Sequence, residues 1–149
     1  MQAKGGVMEG VKVKRIHHLG FVVSDLDETV RSWEALLGVK AVVNENPELK
    51  VRLASFTVAG IRFVFNESTE PGSRWEQFLQ EHGEGLEHVA LEVDNIDAAC
   101  ETARRAGLDI RFPQHKPIHG ALSNFVEQGR LHGTTVEFIQ PIEGDDDLS

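Results

Sequence analysis

Two histidines and one glutamate stand out as side chains that could hold a metal ion. His18 and His88 lie 70 positions apart (88 minus 18), each in a short apolar run, and Glu137 lies in the last such run. Alternation along a strand puts His18, Gly20 and Val22 on one face. Two imidazoles and one carboxylate suit Fe, Mn, Co, Ni or Zn. The sequence therefore predicts one divalent-metal site formed by His18, His88 and Glu137.

The surroundings of the two histidines repeat along the chain. Residues 18–27 align with residues 88–97 in the same order of types: a histidine, an apolar run, a polar cap and the start of a helix. Farther along, residues 60–65 align with residues 133–138. An isolated histidine is more often a strand residue with an ordinary hydrogen bond. Two histidines at equivalent positions of a repeat favour a shared function instead.

The repeat predicts an α+β fold built from two similar modules. Periodicity predicts helices over 25–37 and 74–81 and a third from Ile96 that ends at Gly107, with Ser24 as a helix cap. Further strands are predicted at 39–43, 51–58, 108–112 and 121–127. We expect two pseudo-symmetric βαβββ modules forming one curved mixed sheet around the metal site.

One domain is expected over residues 1–142. Module one covers about 13–68, a linking helix about 73–83 and module two about 84–142. Neither module could bury a four-stranded sheet and a helix alone, so we expect the two to share a core. Residues 143–149 contain four acidic residues, and we expect this acidic tail to be disordered.

Composition limits the classes of partner. Lys and Arg number 15 against 24 Asp and Glu, and a net charge of −9 argues against a general binder of nucleic acid or anionic membranes. No apolar run approaches the roughly 18 residues of a membrane helix. Cys100 is the only cysteine, and the first residues lack the apolar segment of a secretory signal. We therefore expect a small-molecule substrate, no internal disulfide and a cytoplasmic location.

Three stretches resemble the vicinal oxygen chelate superfamily, which includes glyoxalases, bleomycin-resistance proteins and extradiol dioxygenases. They are IHHLGFVVSDLDETVRSWEALLG, GEGLEHVALEVDNIDAACETARRAG and GTTVEFIQP. Through GEGLEHVALEVDNI, the sequence is most similar to methylmalonyl-CoA epimerases. The resemblance implies transfer of an α-proton of an acyl thioester through a metal-stabilised enolate. It also implies a fourth ligand at the position of Val64, whose side chain has no donor atom.

The resemblance further implies residues that handle the substrate. Glu48, in a predicted loop over residues 44–50, aligns within one residue of the superfamily's catalytic base, and Glu137 is a second candidate if it can share the metal. His119 and Gly120 resemble a turn that binds coenzyme A, and Arg130 is a nearby cation, together with Arg111 and Lys116. A homodimer is implied by the resemblance alone.

Other activities stay open from the sequence. Two His and one carboxylate with open positions form the facial triad of Fe(II) dioxygenases, and residues 61–91 resemble part of 4-hydroxyphenylpyruvate dioxygenase. A dioxygenase related to that enzyme or to the extradiol enzymes is therefore an alternative. A glyoxalase-type lyase, or a drug-binding protein without catalysis, is another. The metal and its chemistry would separate these alternatives.

Overall fold

The computed structural model describes residues 9–118 and 120–142. In chain order the elements are β1 (Val13–Val22), α1 (Leu26–Leu37), β2 (Val42–Asn46), β3 (Val51–Val58), β4 (Ile61–Ser68), α2 (Arg74–His82), β5 (Gly85–Val93), α3 (Ile96–Arg105), β6 (Lys116–Ile118), β7 (Ala121–Val126), a 3₁₀ helix (Gln128–Leu131) and β8 (Thr135–Pro141). The strands form one eight-stranded sheet in the order β2-β3-β4-β1-β5-β8-β7-β6. Since β1 and β4 are parallel and β3 and β4 are antiparallel, the sheet is mixed. The predicted α+β fold is confirmed.

The register of the strands repeats with the sequence. In the first half, the β3–β4 ladder pairs Ser55 with Val64. In the second half, the β7–β8 ladder pairs Phe125 with Glu137. Those pairs differ by 70 and 73 positions (125 minus 55 and 137 minus 64), which are the offsets of the sequence repeat. Val64 and Glu137 therefore occupy equivalent positions.

The helices α1 and α3 begin with the same cap geometry. Asp25 and Asn95 have nearly identical extended backbones, with φ of −137° and −138°, and each side chain accepts a hydrogen bond from the backbone N–H three residues on. The prediction of Ser24 as the cap of α1 is wrong by one residue. The Ser24 hydroxyl and backbone N–H instead donate to Glu84.

The strand predicted over residues 108–112 is wrong. That segment makes only an isolated bridge from Ile110 to Val126, and β6 forms later, at Lys116–Ile118. The side chain of Asn124 explains the interruption. Its amide accepts from the Phe112 N–H and donates to the Phe112 carbonyl, so these backbone groups are paired without a ladder. Pro113 follows and has no N–H to donate.

The edge strand β2 lies three residues later than predicted at both ends. Glu34 of α1 accepts a hydrogen bond from the Ala41 N–H, which holds the segment after the helix out of the sheet. The strand then extends to Asn46. Residues 44–46 therefore belong to a strand rather than to the predicted loop, and the turn itself covers 47–50.

Contacts divide the chain into two compact units. One unit is Ile16–Ala90, and the other combines the segment ending at Arg15 with the segment from Leu91 onward. In the first unit, α1 covers Phe56 and Phe65 on one face of the strands, and α2 covers Val22 and Val64 on the other. The residues that the structure describes include no helix long and apolar enough to cross a membrane. The predicted acidic tail, 143–149, lies outside the described residues.

Candidate metal centre

The unit Ile16–Ala90 brings His18 and His88 together. The Nε2 atoms of the two rings lie 3.0 Å apart, and the rings meet edge to face at 88°. His18 is half-buried on β1, and His88 is buried on β5. In a metal-free protein this separation suits a hydrogen bond in which one Nε2 donates and the other accepts. The same two nitrogens, one on each ring, are the atoms that would hold a metal ion.

Gly20 makes room for the ring of His88. A Cβ atom at position 20 would lie 2.1 Å from Cε1, 2.5 Å from Nδ1 and 2.7 Å from Nε2 of His88. Real side chains do not approach a Cβ so closely, because the van der Waals shells would overlap. The imidazole therefore lies against bare backbone in β1, and any larger residue at position 20 would displace it.

A buried carboxylate binds the other nitrogen of His88. Glu87 Oε1 lies 2.6 Å from His88 Nδ1, and Arg74 donates to both carboxylate oxygens at 2.9 and 3.3 Å. Burial of Glu87 opposes its ionisation, but the hydrogen bonds and charges of His88 and Arg74 outweigh burial and lower its pKa to about 2. Because Arg74 donates to both oxygens of Glu87, the carboxylate acts as an acceptor, and Nδ1 of His88 is the donor in its contact with Oε1. In the neutral ring, Nε2 is then the unprotonated nitrogen.

His17 contacts the site although strand alternation predicts that it points away. Its Nδ1 atom lies 2.7 Å from Nδ1 of His18, and the residue is buried. One of the two rings must donate and the other accept in this contact. The neighbour of His18 therefore influences which nitrogen of His18 holds the proton.

The third predicted ligand, Glu137, is buried on β8 and is oriented by a hydroxyl. Ser123 Oγ, on the neighbouring β7, donates to Glu137 Oε2 at 2.9 Å. His18 and His88 belong to the unit Ile16–Ala90, and Glu137 belongs to the other unit. A donor set of two imidazoles and one carboxylate suits a first-row divalent ion. The three residues predicted from the repeat are therefore a candidate metal centre.

Val64 has a hydrocarbon side chain at the position where the resemblance implies a fourth metal ligand. Val64 pairs with Gly20 of β1, which places it on the face of the sheet that carries His18. It is buried in a cluster with Val22, Leu53 and Trp75. Leu53 and Val64 are the repeat equivalents of Ser123 and Glu137, by the same offsets of 70 and 73 (123 minus 53 and 137 minus 64). An apolar pair in the first half thus corresponds to a hydrogen-bonded polar pair in the second.

Asn66, two residues after Val64 and on the same face, is held by a backbone carbonyl. Its Nδ2 donates to the Phe21 carbonyl at 3.0 Å, and the residue is buried. Glu67 faces away, as expected from alternation, and accepts from the Leu26 N–H at the start of α1. The space beside Val64 is occupied by α2, through Trp75.

Apart from Glu137, which is buried on β8, the residues predicted to handle the substrate lie at exposed positions or outside the described residues. Glu48 is exposed in the turn after β2. Gly120 is exposed in the turn before β7 with φ of +75°, a backbone region that favours glycine. Arg130 is exposed in the 3₁₀ helix. His119 lies outside the described residues.

Two further cations considered for the substrate have partners within the protein. Arg111 makes a bidentate pair with Glu127, at 2.9 and 3.1 Å, and lies over the ring of Phe125. The ammonium of Lys116 lies 4.3 Å from the ring centre of Phe112. Both contacts limit the freedom of these side chains to bind a phosphate.

Glu87, Gly20 and Arg62 are among the residues of the site to which sequence reasoning assigns no role. Alternation assigns Glu87 to the face opposite His88, although the dipeptide Glu87-His88 is visible in the sequence. The position of Gly20, two residues after His18, is a signal that could have identified it. Arg62 pairs with His18 across the β1–β4 ladder and is half-buried, so it places a cation on the face of the candidate site.

Comparison with known proteins places the chain in a family. A family model described as the Glyoxalase/Bleomycin resistance protein/Dioxygenase superfamily matches residues 17–126. The chain belongs to this superfamily. A relative named lactoylglutathione lyase from Haemophilus influenzae is 31% identical over 130 residues, which cover 85% of this chain and 92% of the relative.

Solved structures confirm the fold of this superfamily member. A methylmalonyl-CoA epimerase from Mycobacterium tuberculosis superposes with a TM-score of 0.78 at 22% identity, over 91% of this chain and 93% of that one. A Streptomyces coelicolor methylmalonyl-CoA epimerase in complex with 2-nitronate-propionyl-CoA gives 0.76 at 25% identity, over 89% and 97%. The sequence resemblance to epimerases of this superfamily is thus confirmed by structural neighbours.

Proposed function

We propose that this superfamily member is a divalent-metal-dependent enzyme of the epimerase or isomerase type, which moves an α-proton of an acyl thioester. The observation that carries the proposal is the pair His18 and His88, whose Nε2 atoms lie 3.0 Å apart, and we propose Glu137 as the third ligand. A structural neighbour that holds an acyl-CoA analogue supports the substrate class. The proposed ion is Co, Mn, Ni, Zn or Fe in the divalent state, since imidazole and carboxylate ligands suit all of them.

Each residue of the candidate site has a separate role in the proposed reaction. His18, His88 and Glu137 would hold the ion, and Ser123 would keep Glu137 oriented. When bound, the ion supplies a Lewis acid that stabilises negative charge on the carbonyl oxygen of the substrate. Val64, which lies in an apolar cluster with Trp75, supplies no donor atom at the position of the fourth ligand.

We propose Glu48 as the base that removes the α-proton, with Glu137 as the alternative. A base must come within hydrogen-bond reach of the carbon it deprotonates. Glu48→Gln should lower the rate of deuterium exchange from solvent into the substrate α-carbon about 100-fold or more and leave metal affinity unchanged. Glu45→Gln, on the neighbouring strand β2, is the matched control. Equal exchange rates in both variants would transfer the role to Glu137.

We propose that cations and backbone bind the anionic groups of the substrate. His119, Gly120 and Arg130 are proposed for the phosphates of the acyl carrier, and Arg62 for a carboxylate on the acyl group. Guanidinium groups bind carboxylates and phosphates with paired hydrogen bonds. Arg62→Met should then raise KM for an acyl thioester that carries a carboxylate more than for one that lacks it.

The decisive experiment measures metal binding and proton exchange on the same protein. Metal-free protein is titrated with Co²⁺, Mn²⁺, Ni²⁺ and Zn²⁺, and each form is assayed for deuterium exchange into methylmalonyl-CoA and propionyl-CoA. Glu137→Gln should lose affinity and exchange together. Glu92→Gln is the matched control, because Glu92 is also buried but pairs with Arg15. A wild-type protein that binds neither these four ions nor Fe²⁺ would contradict the proposal.

Two other activities are supported by specific observations. The hydrocarbon at Val64 leaves a two-histidine, one-carboxylate set, which is the ligand set of Fe(II) dioxygenases. Oxygen consumption by the Fe(II) form with a 2-oxo acid or a catechol would establish that activity. The names of the sequence relatives, lactoylglutathione lyase and probable lactoylglutathione lyase, support a lyase that acts on lactoylglutathione, and turnover of lactoylglutathione would establish it.

The assembly and location of the protein are proposals as well. We propose a homodimer in the cytoplasm, on the resemblance to this superfamily and on the expectation from the sequence. Light scattering of the purified protein at several concentrations would test the dimer.

A further inference from the structure

Glu87 is a buried carboxylate that the proposed chemistry leaves without a task. It precedes the candidate ligand His88, and only 8% of the residue is exposed. A buried carboxylate is unfavourable unless charged or hydrogen-bonded partners compensate for its lost hydration. Those partners are His88 on one side and Arg74 of α2 on the other. The contact therefore joins a helix to the nitrogen of His88 that faces away from His18.

The guanidinium of Arg74 is itself fixed from two directions. It donates to both oxygens of Glu87 and lies over the ring of Trp75, with 4.6 Å from the guanidinium carbon to the ring centre. Trp75 in turn packs against Val64 in the apolar cluster. Arg74 and Trp75 are neighbours on the first turn of α2. The first turn of α2 therefore places Trp75 in the apolar cluster of Val64 and places Arg74 against the carboxylate of Glu87.

We propose that Glu87, held by Arg74, is a positioning residue that keeps His88 in the tautomer with a proton on Nδ1 and directs its Nε2 at the metal. This inference rests on the proposed metal site. Carboxylates bound to the outer nitrogen of a ligating histidine fix the ring and raise its basicity, and their loss lowers metal affinity about 10- to 100-fold. The residues proposed to bind or deprotonate the substrate are not involved, so the effect belongs to metal binding.

Two variants separate positioning from stability. Glu87→Leu alone would leave Arg74 beside a hydrocarbon, so it is combined with Arg74→Met, which removes both charges together. Glu87→Gln keeps an oxygen that can accept from Nδ1 and serves as the conservative variant. Glu92→Gln, on the same strand and ion-paired elsewhere, is the matched control. Circular dichroism and thermal melting verify that each variant is folded.

The first measurement needs no metal. Long-range ¹⁵N–¹H spectra of metal-free protein, recorded above the titration range of imidazole, report which nitrogen of His88 carries the proton. A His88→Gln variant identifies its signals. We expect the Nδ1–H form in the wild type and in Glu87→Gln, and a mixture with the Nε2–H form in the double variant. An unchanged tautomer in the double variant would overturn the proposal.

The second measurement is the affinity for Co²⁺ or Zn²⁺. We expect the double variant to bind 10- to 100-fold more weakly, Glu87→Gln to fall between it and the wild type, and Glu92→Gln to match the wild type. If Glu137→Gln loses the metal while the double variant keeps full affinity, the positioning role is wrong and the metal site stands. If the wild type binds no metal, the proposed function fails, and the tautomer measurement still decides whether Glu87 fixes His88.

Discussion

A glycine determines whether the second histidine can enter the site. The ring of His88 lies where a side chain on residue 20 would be, so Gly20→Ala must move either the ring or strand β1. Overpacking of this kind costs about 1–3 kcal/mol of folding free energy. We also expect metal affinity to fall at least 10-fold, because Nε2 of His88 would shift relative to His18. Urea unfolding and Co²⁺ titration measure both effects. Gly10→Ala is the control, since a Cβ there meets nothing within 4 Å.

Val64 is the residue at which the site departs from a four-ligand arrangement. Val64→Gln would place an amide among Val22, Leu53 and Trp75, and an unpaired buried amide costs about 1–3 kcal/mol. An ion at the site would give that oxygen a partner. We therefore expect lower stability than wild type without metal and a larger rise in melting temperature on adding metal. Val64→Met, which has no oxygen, should show no such extra rise. Equal metal-induced shifts in both variants would mean that position 64 does not reach the ion.

At the scale of the element, the repeated cap is a direct test of where α1 begins. Asp25→Ala removes the side chain that accepts from the Glu28 N–H, and such a loss costs about 1 kcal/mol. Ser24→Ala leaves that cap in place and should lower the free energy of unfolding by less than about 0.5 kcal/mol. Urea unfolding of the two variants distinguishes them. A larger loss from Ser24→Ala would favour Ser24 as the cap.

Apolar periodicity is sufficient to predict the three helices but not every strand. The helices α1, α2 and α3 follow from apolar spacing and end near glycines that the sequence displays. The strand over 108–112 could not be excluded in this way, because a distant side chain, Asn124, satisfies the backbone of Phe112. The shift of β2 has a similar cause in the bond from Ala41 to Glu34. Side-chain bonds to backbone across such separations leave no local pattern.

At the scale of the whole chain, the candidate site is predicted from the repeat rather than from any single motif. Equivalent strands of a repeat supply equivalent positions, which is why the amino-acid sequence alone is enough to name His18, His88 and Glu137 together. The contacts behind the ligands cannot be named in this way. Glu87 lies on the face opposite His88 by alternation, and its role depends on Arg74 arriving from α2. Tertiary contacts between elements are what the period of a strand does not encode.

The two halves of the repeat also differ at two equivalent positions, and mutation can give one half the residues of the other. Leu53 and Val64 occupy in the first half the positions that Ser123 and Glu137 occupy in the second. The double variant Ser123→Leu with Glu137→Val would give the second half the apolar pair. Replacing a buried polar pair by hydrocarbon of similar size is often neutral or stabilising, so we expect an unfolding free energy equal to or above that of the wild type.

Metal binding should be lost in the same double variant, because only His18 and His88 would remain of the three ligands. For this one protein we therefore expect two results. Urea unfolding without metal should give a free energy of unfolding no lower than that of the wild type, and Co²⁺ titration should show that metal binding is lost. Ser123→Ala is the control: it keeps Glu137 and should weaken metal binding by less than the double variant. If the free energy of unfolding of the double variant is lower than that of the wild type, the second half needs its polar pair for stability. One that still binds metal with full affinity would remove Glu137 from the ligand set, and the asymmetry between the halves would then have a structural origin alone.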